Sequence, residues 1–210
     1  MIVGERKSLS EIKDMVRPYG KVLVAGCDTC TAECMAGGRK QVAELAAALD
    51  MSFRLEGKEM EVQEEFIEQA EKADAIISVA CGAGVQSLAE RLPGKPIFPG
   101  INTTFIGETA SMGLWQERCR GCGYCLLGAT AGLCPVTRCA KSLLNGPCGG
   151  SQNGLCEVSA VLKCDVPCVW AMIYERLKQM GELDRLTDYC PPKDWRPSGM
   201  MGPRQMVRES

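Results

Sequence analysis

Histidine is absent from the 210-residue sequence, and this absence removes several classes of functional site. Without histidine, the chain holds no Cys/His zinc finger, no Cys–His nucleophile pair and no Ser–His–Asp hydrolase triad. Any metal or catalytic chemistry must therefore use other side chains.

Aromatic residues are also few, the net charge is small, and long apolar runs are missing. Aromatic side chains make up 5% of the residues and the formal net charge is −2, whereas a nucleic-acid-binding surface needs stacking rings and clustered positive charge. No apolar run approaches the length of a membrane span, and the first seven residues lack the basic-then-apolar order of a signal peptide. We therefore expect a cytoplasmic protein with no nucleic-acid partner and no membrane insertion.

Cysteine, in contrast, is abundant, with 14 residues that include two closely spaced sets. The first set is C-x2-C-x3-C, at Cys27, Cys30 and Cys34. The second is C-x2-C-x2-C, at Cys119, Cys122 and Cys125. In a reducing compartment, dense cysteine indicates metal binding more often than disulfides, and all-thiolate sets of this kind hold iron–sulfur clusters. The sequence therefore predicts a metal-cluster protein.

The distribution of the cysteines predicts two domains, residues 1–106 and 107–210. Only Cys81 lies between residues 35 and 118, whereas nine cysteines lie between residues 119 and 168. Gly107, Ser111 and Gly113 interrupt the pattern within residues 107–118, which places the boundary there.

The first domain has the pattern of an α/β fold. Ser8 and Glu11 form a capping box that begins a helix. Lys21–Ala25 and Ala75–Ala80 are short apolar runs typical of buried parallel strands, and amphipathic helical segments alternate with them. The alternation predicts a small Rossmann-like parallel sheet covered by helices.

This topology predicts that the first cysteine set and Cys81 meet. Cys27 and Cys81 each follow a predicted strand, and the carboxyl ends of parallel strands share one edge of a sheet. Cys27, Cys30, Cys34 and Cys81 would then supply the four thiolates that a [4Fe–4S] cluster needs. Two other interpretations stay open: a tetrahedral zinc held by the same thiolates, and Cys81 as a small buried apolar residue.

The second domain is predicted to be a largely irregular and helical cysteine-rich module. Cys119, Cys122 and Cys125 resemble the opening of a bacterial ferredoxin motif, and predict a second [4Fe–4S] cluster. A third metal site, [4Fe–4S] or zinc, stays open, and the sequence does not pair the ligands. The further candidate ligands are Cys134, Cys139, Cys148, Cys156, Cys164 and Cys168, with Cys190 isolated.

Two helices are predicted in this module. Pro135 opens a short helix that extends through Leu144. Asp165 is the predicted N-cap of a second helix, which presents Trp170 on one face and ends near Gly181; an extended tail follows it.

Several motifs resemble a known family over nearly the whole chain. They are the first cysteine set after a strand, the turn Cys81-Gly-Ala-Gly-Val-Gln, the stretch Leu143-Leu-Asn-Gly-Pro-Cys-Gly-Gly, Gly154-Leu-Cys-Glu, and Cys168-Val-Trp with Ile173-Tyr-Glu-Arg-Leu. In these motifs the chain resembles the methylenetetrahydrofolate reductase C-terminal domain family, whose stand-alone members are the small subunit (MetV type) of the reductase in acetogenic bacteria.

The resemblance implies a role in electron transfer. The partner would be a flavin-containing TIM-barrel subunit that reduces methylenetetrahydrofolate to methyltetrahydrofolate, and the electron donor would be ferredoxin or a further subunit. We identify no flavin site and no catalytic residue in this chain, so we expect a non-catalytic subunit. The alternative is a zinc-binding adaptor with a structural role.

Overall fold

The computed structural model describes residues 1–49, 54–55 and 64–199, and the chain divides into two compact units, residues 1–116 and residues 117 onward. The strands are β1 (Ile2–Arg6), β2 (Val22–Ala25), β3 (Arg54–Leu55), β4 (Ala75–Ser78), β5 (Ile97–Pro99), β6 (Ile101–Ser111) and β7 (Leu114–Cys119). The helices are α1 (Leu9–Val16), α2 (Cys30–Glu33), α3 (Arg39–Ala48), α4 (Glu64–Lys72), α5 (Gly82–Arg91), α6 (Pro135–Arg138), α7 (Val158–Leu162) and α8 (Val169–Met180), with 3₁₀ turns at Leu183–Thr187 and Arg196–Ser198. In these described ranges, no helix combines the length and apolarity needed to cross a bilayer.

A parallel sheet forms the centre of the first unit. Its strand order is β3-β2-β4-β5, and β2 pairs with β4 so that Ala25 lies opposite Ser78. Every residue of β2 and β4 is buried, because both faces of these strands are covered. The predicted mixed α/β class with a small parallel sheet is confirmed.

Helix α1 begins where the sequence predicted. The Ser8 hydroxyl accepts a hydrogen bond from the Glu11 amide at 3.2 Å, and so satisfies one of the free N–H groups at the helix start. Ile12 and Val16 lie on the buried face and pack in the same core as Val24 and Ile77 of the sheet.

A second sheet, with the order β1-β6-β7, was not predicted. Strand β1 pairs antiparallel with β6, from Ile2 opposite Ile106 to Arg6 opposite Ile101. Strand β6 continues through Gly107, where the sequence pattern indicated an interruption. A side chain at Gly107 would lie 2.1 Å from the Gln116 carbonyl oxygen, so the glycine allows the close approach of β7 rather than a break.

The second unit has little regular structure, and its two predicted helices are both shorter than expected. Helix α6 begins at Pro135 but ends at Arg138 instead of reaching Leu144. Helix α8 begins at Val169, with Cys168 and not Asp165 as its N-cap. It ends as predicted at Gly181, which adopts the left-handed conformation with φ 72°.

Candidate metal centre

The first cysteine set lies at the carboxyl edge of the parallel sheet. Cys27 comes two residues after β2 and Cys81 three residues after β4, and the two strands are paired neighbours. Cys81 is the N-cap of α5, and Cys30 is the first residue of α2. The topology therefore places the sequence-distant Cys81 at the same edge as the C-x2-C-x3-C loop.

The loop after β2 packs against the end of β4. A Cβ on Gly37 would lie 1.9 Å from the Val79 carbonyl oxygen, so only glycine fits there. The Cys27 amide donates to the Gly37 carbonyl at 3.1 Å, and the Val79 amide donates to the Ala25 carbonyl at 2.8 Å. These bonds close the loop and hold it against the strand that leads to Cys81.

The thiols of this set differ in their surroundings. Cys27, Cys34 and Cys81 are buried, and Cys30 is half-buried. The Cys27 sulfur lies 3.1 Å from the Thr29 hydroxyl. The Cys34 sulfur lies 3.6 Å from the Thr31 carbonyl and 3.8 Å from the Gly4 carbonyl, in the core of the first unit.

No closed coordination sphere for a single ion is present in the described part of the chain. Within residues 1–49, 54–55 and 64–199, no three cysteine or acidic side chains are grouped tightly enough to hold one metal ion. A four-iron cube needs its thiolates farther apart than a tetrahedral zinc, which has all four sulfurs about 2.3 Å from one atom. Cys27 and Cys81 follow paired strands at one edge of the sheet, and thiolates are the donors that both iron–sulfur clusters and structural zinc use.

In the Cys119–Cys125 loop, a backbone amide is directed at a cysteine sulfur. The Gly121 amide donates to the Cys119 sulfur at 3.3 Å. Gly121 and Gly123 both have positive φ, 60° and 75°, a conformation that favours glycine. An N–H group directed at sulfur stabilises the negative charge of a thiolate or of a cluster.

Cys156 and Cys168 are brought side by side by a short antiparallel contact. Leu155 bridges to Pro167, the Cys156 amide donates to the Val166 carbonyl at 2.8 Å, and the Cys168 amide donates to the Gly154 carbonyl at 2.8 Å. Both cysteines pack with Cys139 in one apolar cluster, whose centre includes Trp170, Ile173 and Leu177 of α8. Three of the predicted ligands therefore lie in one neighbourhood.

The ion pair between Lys141 and Glu157 connects Cys148 to the region around Cys156 and Cys168. The Cys148 sulfur lies 3.7 Å from one carboxylate oxygen of Glu157, and the other accepts from the Lys141 ammonium at 2.6 Å. The hydrogen bond with Glu157 raises the pKa of Lys141, and the Cys148 and Cys139 sulfurs act in the same direction. The same hydrogen bond lowers the pKa of Glu157. Lys141 is therefore a positive charge close to two predicted ligands.

The other predicted ligands occupy separate positions. Cys134 is the N-cap of α6, at the opposite end of the helix from Cys139, and Thr137 of this helix donates to the Arg118 carbonyl at 3.3 Å. Helix α6 thus lies beside the start of the Cys119–Cys125 loop. Cys164 is exposed in the loop between α7 and α8. Cys190, which the sequence left isolated, is bound through its backbone by the Asn145 side chain.

The sequence did not indicate that three charged residues, Lys141, Glu157 and Lys193, lie beside the predicted ligands. Lys141 and Glu157 are separated by 15 intervening residues and meet only because the chain folds back through Cys148. Lys193 donates to the Tyr124 carbonyl across 69 residues, which no local pattern indicates. Pro191, Pro192 and Pro197 are a local signal of an extended segment there, because proline disfavours regular helix and strand.

Comparison with known proteins gives one match. No curated protein and no solved structure matches the chain. Residues 98–196 match the family model described as "Methylene-tetrahydrofolate reductase C terminal". The match includes every cysteine from Cys119 to Cys190, and it leaves the first cysteine set outside. Residues 98–196 are thus similar to the C-terminal region of methylene-tetrahydrofolate reductases.

Proposed function

We propose that the chain is the electron-transfer iron–sulfur subunit, of the MetV type, of a methylenetetrahydrofolate reductase complex. The observation that carries the proposal is the grouping of cysteines at three places in the fold. One group lies at the sheet edge, one in the Cys119–Cys125 loop and one around the start of α8. The family match over residues 98–196 supports the assignment to this reductase.

Each group has a proposed ligand set. The first is Cys27, Cys30, Cys34 and Cys81, and the second is Cys119, Cys122, Cys125 and Cys134, because α6 lies beside the start of that loop. The third set is Cys139, Cys148, Cys156 and Cys168. The first two sets would hold [4Fe–4S] clusters, and the third would hold either a [4Fe–4S] cluster or zinc. Cys164 would be a spare candidate for the second or third set.

The residues of this chain would bind the clusters and tune their charge. When bound, iron–sulfur clusters supply single-electron transfer, and a flavin accepts two such electrons before a hydride-level reduction. The thiolates hold iron, the Gly121 amide stabilises negative charge on Cys119, and Lys141 provides a positive charge near Cys139 and Cys148. Reduction of the folate substrate would take place on a flavin-containing TIM-barrel partner in the cytoplasm, with ferredoxin or a further subunit as the electron donor.

Metal analysis of protein purified without oxygen tests this proposal. We expect about eight irons per chain if the third set holds zinc, and about twelve if it holds iron, since each cube contains four. Treatment with dithionite should produce an electron paramagnetic resonance signal from reduced clusters. Co-purification should recover a flavoprotein partner.

The competing function is a structural zinc adaptor. The third ligand set favours this alternative, because it has four cysteines and four thiolates suit a structural zinc. Zinc without iron in the anaerobic preparation would support the adaptor and rule out electron transfer. X-ray absorption at the iron and zinc edges identifies the metal independently of activity.

A further inference from the structure

We propose that residues 190–198 form a strap that positions the Cys119–Cys125 loop, with Lys193 as the positioning residue. This inference rests on the proposed function, because it assigns the strap to the cluster that the loop would bind. All the contacts that support it lie within the second unit.

Lys193 binds the loop between two of its cysteines. Its ammonium group donates to the Tyr124 carbonyl at 2.6 Å, and Tyr124 lies between Cys122 and Cys125. The Cys122 sulfur lies 3.7 Å from the same carbonyl oxygen. The Tyr124 carbonyl oxygen therefore contacts both the Lys193 ammonium group and the sulfur of Cys122, a predicted ligand. The ammonium group thus lies close to this sulfur.

Two aromatic rings hold the Lys193 side chain in this position. The ammonium nitrogen lies 5.1 Å from the centre of the Tyr124 ring and 5.6 Å from that of the Trp195 ring. Both distances are within the range of cation–π attraction. Because Tyr124 belongs to the loop and Trp195 to the strap, Lys193 joins the two segments.

The strap is fixed at both ends. At its start, the Asn145 side chain donates to the Cys190 carbonyl at 2.9 Å and accepts from the Cys190 amide at 2.7 Å. Near its other end, Pro197 packs on Gly123, where a Cβ would lie 2.6 Å from the proline ring. Gly123 is thus needed both for its positive φ and for contact with the strap.

This arrangement predicts the effects of losing the Lys193 charge. Reduction adds one negative charge to a cluster, so a nearby positive charge favours the reduced state. Without Lys193 the cluster in this loop should be harder to reduce. The loop should also open more often, because its tie to the strap is lost.

Lys193→Met, made in the full chain and purified without oxygen, tests the inference. At a fixed ambient potential we expect the ratio of reduced to oxidised cluster to fall about threefold, or roughly 30 mV for a one-electron couple, in a redox titration followed by paramagnetic resonance. Amide exchange of residues 120–125 should become several-fold faster. Lys193→Arg keeps the charge and should restore most of the potential. Lys178→Met removes a lysine from an exposed position of α8 and should change neither measurement.

The possible results separate the strap from the proposed function. The wild-type protein could contain iron while Lys193→Met changes neither the reduction potential of the cluster nor the amide exchange of the loop. This result would overturn the strap and leave the electron-transfer proposal standing. Faster exchange with an unchanged potential would also overturn Lys193 as a positioning residue for the cluster and leave it a structural contact only. Wild-type protein without iron would overturn both proposals.

Discussion

Replacing Cys81 with serine is expected to remove one whole cluster, about four irons per chain, from the anaerobically purified protein. Cys81 is the only cysteine between Cys34 and Cys119, so no neighbour in the sequence can replace it as the fourth ligand of the first set. A serine oxygen is a harder donor than a thiolate and binds iron of a cluster poorly. Iron content and the paramagnetic resonance spectrum measure the loss.

The position of Cys81 should allow this substitution without loss of the fold. Cys81 is the N-cap of α5 and makes no side-chain capping bond, whereas serine is among the residues preferred at N-caps. The variant should therefore keep its helix and its fold, which circular dichroism checks. Cys190→Ser is the matched control, because Cys190 lies outside every proposed ligand set, and its iron content should stay at the wild-type level. An unchanged iron content in Cys81→Ser would instead support the interpretation of Cys81 as a small buried apolar residue.

The parallel sheet could be predicted because its signals are local. The continuous apolar runs of β2 and β4 and the cap at Ser8 are properties of a few neighbouring residues, and the structure confirms each of them. The rule that parallel strands share a carboxyl edge then predicts that Cys27 and Cys81 lie at the same edge of the sheet.

The second sheet could not be predicted because its stability is non-local. Strand β6 contains Asn102, Thr103 and Thr104, which are exposed, and has no regular alternation of apolar residues. It is a strand because β1, about a hundred residues earlier in the chain, pairs with it. Strand propensity depends on such partners more than on the residues themselves.

The grouping of the later cysteines needed the structure for a related reason. Their spacing in sequence, from Cys134 to Cys168, is too irregular to indicate pairs. The bridge between Leu155 and Pro167 and the ion pair between Lys141 and Glu157 decide which cysteines are neighbours. Neither contact has a signature in the local sequence, so the ligand sets are proposals that came from the fold.

Gly37→Ala is expected to destabilise the first unit and to remove its cluster. The new methyl group would lie 1.9 Å from the Val79 carbonyl oxygen and 2.9 Å from the Thr31 hydroxyl, so the loop or the end of β4 must move. Overpacking of this kind costs about 1–3 kcal/mol, and backbone atoms cannot yield as a flexible side chain would. Because the displaced loop carries Cys27, Cys30 and Cys34, we also expect the loss of about four irons.

Gly82→Ala is the matched control for this prediction. It adds the same methyl group near the same edge of the sheet, but the nearest atom is the Thr103 hydroxyl at 3.6 Å, which is an ordinary contact. Alanine also favours the helix that begins there, so stability should be unchanged or higher. The rate of amide hydrogen exchange in β2 and β4 measures the stability of the first unit separately from that of the second. If Gly37→Ala keeps both slow exchange and full iron, the loop does not lie against Val79, and the convergence of the first cysteine set with Cys81 loses its structural basis.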